Sequence, residues 1–120
     1  MNLGKIGKTA EDKTAAYLRK NGFKVIKRNY SCRFGEIDII AEKGEFIVFV
    51  EVKARKQNSI VSPLEAVDSK KFQRIMLTAE DYISKTNCEL QPRFDIAQVT
   101  VSEKAEGEIY YSLHYLENAF

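Results

Sequence analysis

Histidine occurs once in the chain, as His114, and cysteine twice, as Cys32 and Cys88. With no CxxC pair and no histidine near either thiol, a Cys/His zinc site is excluded. A structural disulfide is not expected in a reducing compartment, so both cysteines read as free thiols. Long apolar runs are missing as well. None approaches the ~20 residues of a membrane helix, and the opening MNLGKIGKTAEDK has no apolar stretch of the kind a secretory signal carries. The expectation is a cytoplasmic protein with no membrane partner. Internal repeats, low-complexity tracts and linkers are also absent, which makes residues 1–120 a single unit.

What is present is an ordinary globular composition. The 120 residues are 44% hydrophobic and 30% charged, enough for a core and too apolar for a disordered chain. The net charge of +2 is small, but it is unevenly spread. Residues 1–35 hold nine Lys and Arg against Glu11 and Asp12, whereas residues 89–120 set six acids against Arg93 and Lys104. A basic face of this kind can meet a polyanion; an unevenly charged solvated surface gives the same count.

Residues 8–21 place Ala10, Thr14, Tyr17 and Leu18 near one helical face, and Gly22 stops that helix. Strands are expected at 23–30, 35–42 and 45–55, the last two joined by a tight turn at Lys43-Gly44. Ser62-Pro63-Leu64-Glu65 has the cap, the proline and the glutamate of a helix start, with a kink or restart at Asp68-Ser69. Phe72, Ile75, Met76, Ala79, Tyr82 and Ile83 then form one buried helical stripe. Two further strands, 93–101 and 108–116, complete the order α-β-β-β-α-β-β. That order gives a mixed α+β fold, a mixed sheet with helices against it, and neither a doubly wound fold nor a sandwich.

The apolar run FIVFV (46–50) continues into EVKAR (51–55). Both faces of 46–52 are apolar, so this strand is expected at the centre of the sheet, and charges at the end of a central strand call for an explanation. Alternation puts Glu36, Asp38 and Ile40 on one face, and Ile47, Phe49, Glu51 and Lys53 on one face. A two-residue turn at Lys43-Gly44 sets Asp38 opposite Phe49 and Glu36 opposite Glu51, making Asp38 and Glu51 diagonal neighbours on that face, about 7–8 Å apart. A solvent-facing charge ladder has the same spacing, but Asp38 is enclosed in EIDII as Glu51 is in VFVEV. Two such carboxylates can share a small hard cation. Lys53 beside them can act on an attacking water or on the charge of a phosphoryl oxygen. Acid, acid and lysine, with no histidine or reactive serine among them, suit metal-assisted attack of water on a phosphodiester better than acyl transfer or glycoside chemistry.

A carboxylate followed across a hairpin by E-x-K, and preceded by a helix bearing a glutamate, resembles the PD-(D/E)xK nuclease superfamily. The chain as a whole resembles the YraN-like family of small bacterial proteins, which is similar to archaeal Holliday-junction resolvases. The resemblance rests on Gly7 with AEDKTAAYL (10–18), RNY (28–30), GEIDII (35–40), VFVEVKAR (48–55), EAVDSKK (65–71), RFDIAQV (93–99) and NAF (118–120). Ile37 stands where the superfamily name has proline. The resemblance implies one nuclease-like domain over residues 1–120 with a restriction-endonuclease-like core. It also implies an endonuclease dependent on Mg²⁺ or Mn²⁺, with DNA, and branched or recombining DNA in particular, as substrate, and a homodimer. By the same resemblance Asp38 and Glu51 become metal ligands, the Val52 carbonyl a third and Glu11 a further one, and Lys53 becomes the catalytic lysine. Glu36 matches the motif either as an outer-shell carboxylate or as a salt-bridge partner. A nuclease fold that binds nucleic acid or a partner protein without cutting is the alternative reading.

Arg33, Arg55, Lys56, Lys70, Lys71 and Arg74 flank these residues in sequence, with Arg33, Arg55, Lys56 and Lys71 the expected nucleic-acid contacts. Contacts to phosphate add affinity without reading sequence. Arg93 and Asp95 read as a structural ion pair, and His114 as a strand residue without a catalytic role.

Overall fold

The computed structural model describes residues 3–57 and 68–120. Its element order is α1 (Leu3–Lys20), β1 (Lys24–Cys32), β2 (Gly35–Lys43), β3 (Phe46–Lys56), α2 (Ser69–Thr86), β4 (Gln91–Glu103) and β5 (Ile109–Leu116), with a 3₁₀ turn at Ala105–Gly107 before β5. The five strands form one sheet in the order β1-β2-β3-β4-β5. β3 and β4 run parallel and every other neighbouring pair is antiparallel. A parallel pair needs a crossover connection, and α2 lies in it. The mixed sheet, the helix–strand order and the central place of β3 are those expected from the sequence.

Alternation along β3 divides the core. Val48 and Val50 pack with Ala15 and Leu18 of α1, with Phe23, and with Ile39, Ala41 and Ala97. Ile47 and Phe49 pack on the other face with Ile75, Ala79 and Tyr82 of α2 and with Ile40 and Phe94. One helix therefore covers each face of the sheet. α1 buries Ile6, Ala10, Thr14, Ala15 and Leu18, whereas Tyr17, expected on that stripe, is 36% exposed. Its ring rests on Tyr115 at the margin of the sheet, with centroids 5.3 Å apart.

α2 begins where a restart was expected. Asp68 is its N-cap and accepts a hydrogen bond from the Lys71 backbone N–H at 2.8 Å, satisfying one of the donors a first helical turn leaves open. Asn87, in the left-handed region at φ 52°, closes the helix. The helix start read at Ser62-Pro63-Leu64-Glu65 lies outside the described residues.

The β2–β3 register differs from the expected one by two residues. Lys43 pairs with Phe46, Ile40 with Phe49 and Ile39 with Val50, so the loop is Gly44-Glu45, not Lys43-Gly44. Gly44 has φ 56° while Glu45 is absent from the positive-φ residues. This is the type II′ pattern, with glycine first in the loop, and its twist suits the flanking strands. A slip of two preserves the faces of β3, but on β2 the alternation breaks at Asp38: Ile37 packs with Ile40 on the α2 face, whereas Ile39 and Ala41 pack on the α1 face. Continued one residue past its last pair, Ile39↔Val50, this register would bring Asp38 level with Glu51 instead of diagonal to it.

Candidate functional site

Asp38 sits at an interruption in the sheet. On the β1 side the register runs Arg28↔Ile39 and then Tyr30↔Ile37, passing over Asn29. Asn29 has φ 53°, which turns it out of the regular strand. On the β3 side the register ends at Ile39↔Val50. One rung further on, the Val52 N–H donates to Asp38 Oδ2 at 2.8 Å instead of to a β2 carbonyl. In a strand the N–H and C=O of one residue point the same way, so the Val52 carbonyl also turns toward β2 and Asp38.

Glu51 continues the row of Ile47 and Phe49, on the α2 face of β3, and is buried at 9% exposure. Asp38, Glu51 and Glu36 line a cleft of about 510 Å³ whose other wall is the start of α2, carrying Asp68, Lys70, Lys71 and Arg74. Gly35, at φ 149°, brings the β2 backbone close beneath that wall; a Cβ there would stand 3.5 Å from Thr78 Oγ1 and 3.6 Å from Arg74 Cβ.

Both nearby lysines reach one oxygen. Lys71 Nζ lies 2.7 Å from Glu51 Oε1 and Lys53 Nζ 3.4 Å from the same atom. The charges are correspondingly shifted. Burial, and then the charge of Glu51, carry the Asp38 carboxyl up to about 7, against the smaller opposing effect of the Val52 N–H. Burial and the adjacent Lys71 hold Lys53 below its ordinary value. Burial would lower Lys71 too, but its bonds to Glu51 and Lys53 outweigh that and raise it.

Arg55 stands one pleat beyond Lys53 on the same face. With the Gln98 amide oxygen turned toward it, Arg55 donates from Nε at 2.8 Å and from Nη2 at 2.7 Å. Arg55 Nη1 is buried and finds no hydrogen-bond partner among the described residues. Gln98 pairs with Lys53 across the β3–β4 register. Sequence spacing gave no signal for Gln98, because its role comes from a neighbour brought in by the parallel crossover.

The remaining candidates are distributed around this cluster. Glu11 is on α1, where its Oε1 accepts from Arg28 Nε and from Asn29 Nδ2, each at 3.0 Å. Its charge still reaches Asp38, though more weakly than that of Glu51. Among the described residues no three or more His, Cys, Asp or Glu side chains gather closely enough to hold a metal ion together; the cluster is a carboxylate pair with a backbone carbonyl turned toward it. Arg33 is at the tip of the β1–β2 hairpin, its guanidinium 4.7 Å from the centre of the Phe34 ring. It lines a second hollow that shares Gly35, Glu36 and Arg74 with the cleft. Lys56 is exposed and, by alternation, turns to the α1 face, away from Glu51, Lys53 and Arg55. His114 is exposed on β5, opposite Gln98. Arg93 and Asp95 form the bidentate pair expected of them, with bonds of 3.0 and 2.9 Å.

Residues 10–99 match the model of a family described as uncharacterised protein family UPF0102. The chain belongs to the UPF0102 family. It is 44% identical over 121 residues to a UPF0102 protein of Dictyoglomus turgidum, covering 100% of both chains. To one of Alkaliphilus metalliredigens it is 40% identical over 116 residues, 96% of each. UPF0102 protein FN1370 of Fusobacterium nucleatum is 47% identical over 96 residues, 79% of this chain and 81% of the relative. This is the YraN-like family that the GEIDII and VFVEVKAR motifs resemble, and the match over residues 10–99 spans the whole lining of the cleft, from Gly35 to Ile75, and Gln98 beyond it. The names of these relatives state a family and no reaction. No helix among the described residues is long and apolar enough to cross a membrane.

Proposed function

We propose that this UPF0102 protein is a cytoplasmic endonuclease that hydrolyses DNA phosphodiester bonds with a divalent cation, Mg²⁺ or Mn²⁺, and that branched DNA is the substrate form it serves. The observation that carries the reading is the carboxylate pair: Asp38 and Glu51 share one cleft, where burial, and then the repulsion of the Glu51 charge, push Asp38 up to about 7. A strand pair gains nothing from that repulsion by itself, whereas a dication between two carboxylates relieves it. The donor set fits a hard cation, being all oxygen: Asp38, Glu51 and the Val52 carbonyl.

When bound, the cation would polarise the phosphoryl oxygen and make water a better nucleophile at neutral pH. The remaining work belongs to this chain. The Val52 N–H fixes the orientation of Asp38. Lys53, with its proton affinity lowered by burial, is fitted to accept a proton from the attacking water. Arg55, held by Gln98, has an unpartnered N–H to offer a phosphate oxygen. Arg33 and Arg74 extend the cationic lining toward the neighbouring hollow.

The test is a cleavage assay on supercoiled plasmid, single strands and a synthetic four-way junction, with Mg²⁺ or Mn²⁺, beside Lys53→Ala. Metal-dependent cutting that disappears in the variant supports the reading, and the preferred substrate defines the class. Cutting that survives in both Lys53→Ala and Asp38→Ala would remove it.

A second reading is a module on the same fold that binds nucleic acid without cutting. It is favoured by the position of Glu11, whose carboxylate is taken by Arg28 and Asn29. Salt-sensitive DNA binding by a protein that takes up neither Mg²⁺ nor Mn²⁺ in calorimetry would select it.

A further inference from the structure

Glu51 Oε1 is contacted by two ammonium groups of different origin. Lys53 is fixed to the same strand two residues on. Lys71 comes from the first turn of α2, across the cleft, and is the closer at 2.7 Å against 3.4 Å. It is also the more exposed, its side chain 37% accessible against 23% for Lys53. Its backbone is anchored, since the Lys71 N–H is the one bonded by the Asp68 cap. The four-carbon stem can therefore move while the helix stays in place.

In this position the Lys71 charge neutralises a carboxylate that would otherwise be buried beside Asp38 with too little compensation. A divalent cation bound by Asp38 and Glu51 would do the same work at the same oxygen. The two cations are then competitors for Glu51. A phosphate group entering the cleft is in turn a competitor of Glu51 for Lys71.

Resting on the metal site read above, we propose that Lys71 is the resident counter-ion of the metal-free site: a divalent cation displaces its ammonium from Glu51, and the freed ammonium takes a phosphate of the nucleic acid. Metal and nucleic acid thereby promote each other's binding. Whatever factor the metal adds to nucleic-acid affinity, nucleic acid adds to metal affinity. In this scheme Lys71 is a binding residue, and its contribution is visible without any turnover.

The experiment is calorimetric titration of Mn²⁺ into the wild-type protein, Lys71→Met and Lys71→Gln. It is paired with fluorescence anisotropy of a phosphorothioate DNA oligonucleotide, which resists cutting, with and without Mn²⁺. Removing the competitor should tighten Mn²⁺ binding about fivefold or more, the low end of ordinary coupling between sites. The same variants should bind the oligonucleotide more weakly, and Mn²⁺ should improve that binding by a smaller factor than in the wild type. A lysine that merely supported the fold would lower both affinities when removed. Mn²⁺ affinity unchanged or weakened in both variants, with cooperative unfolding retained, overturns the proposal. Absence of Mn²⁺ binding from all three proteins overturns the metal site itself, a separate failure that the same titration identifies.

Discussion

The backbone N–H of Val52 is bonded to the carboxylate of Asp38, 2.8 Å away, at the point where the β2–β3 ladder stops. A side chain has replaced a main-chain acceptor, and the replacement places a carboxylate inside the sheet instead of above it. It also keeps the Val52 N–H satisfied, which a simple break in the ladder would not.

Asp38 makes the metal-free protein sensitive to pH in a defined direction. Burial first, and the charge of Glu51 second, raise its carboxyl from the ordinary 3.8 to about 7. The folded state then holds the proton more tightly than the unfolded state, so the contribution of Asp38 to stability is fully present below about 4 and is lost as pH rises through about 7. Urea unfolding in EDTA at pH 5, 6, 7 and 8 should show a decline of at most about 1.4 kcal/mol per pH unit below 7. Asp38→Asn should flatten that decline. Parallel curves for the two proteins would place the proton elsewhere.

Arg55 is the residue whose removal should register in salt dependence. Its Nη1 lacks a partner among the described residues while Gln98 fixes the rest of the guanidinium. A buried N–H without an acceptor costs about 1–3 kcal/mol, a cost that a bound phosphate oxygen would offset. Arg55→Met should weaken DNA binding similarly for all sequences and reduce the slope of log K against log salt by about 1. Gln98→Leu should weaken binding too, by releasing the guanidinium. An unchanged slope in Arg55→Met would make the Gln98 contact purely structural.

Much of this site is legible along the chain because strands have a period of two. Glu51 and Lys53 could be put on one face with Phe49 before any coordinates, and a two-residue error in register did not disturb that. The break in alternation at Asp38, which turns its carboxylate to the Val52 N–H, was not legible. The register itself was not legible, since alternation is blind to a shift of two and only the φ of Gly44 decides which residues form the loop. Glu11 was readable as a helix carboxylate, but its bonds to Arg28 and Asn29 depend on how α1 lies on β1. Lys71 was expected near the site as a nucleic-acid contact, but its bond to Glu51, like the place of Gln98, depends on the crossover and the helix it contains, and no local pattern carries that information. RFD was readable as an ion pair because residues 93 and 95 share a face.

That pair should prove to be structural. Asp95 is fully buried and accepts from Arg93 twice, from the Tyr115 hydroxyl at 2.6 Å and from the Asn118 N–H at 2.8 Å. Burial, and then Asp95, raise the Tyr115 phenol well above its ordinary range. Asp95→Ala leaves a largely buried guanidinium and a phenol without their acceptor, so the loss should be about 3–5 kcal/mol by denaturant unfolding. Metal affinity of the fraction that remains folded should be unaffected. A variant as stable as the wild type would mean that water or another side chain replaces the carboxylate.

Glu11 and Glu51 should separate cleanly in a metal titration. Both are glutamates near Asp38, but Glu51 faces it across the strand pair, whereas Glu11 is held by Arg28 and Asn29. Glu11→Gln removes an ion pair that is 14% exposed on the Glu11 side and 32% on the Arg28 side. A stability loss of about 1 kcal/mol is the expected scale for such a partly screened pair. Mn²⁺ affinity should stay within about threefold, because the bonds of Glu11 serve α1 and β1. Glu51→Gln removes the charge of a proposed ligand oxygen and should lower Mn²⁺ affinity by more than the about tenfold that loss of an outer-shell partner brings. Equal losses in the two variants would mean that Glu11 leaves Arg28 to join the cation, and would make the α1 contact with β1 part of the site.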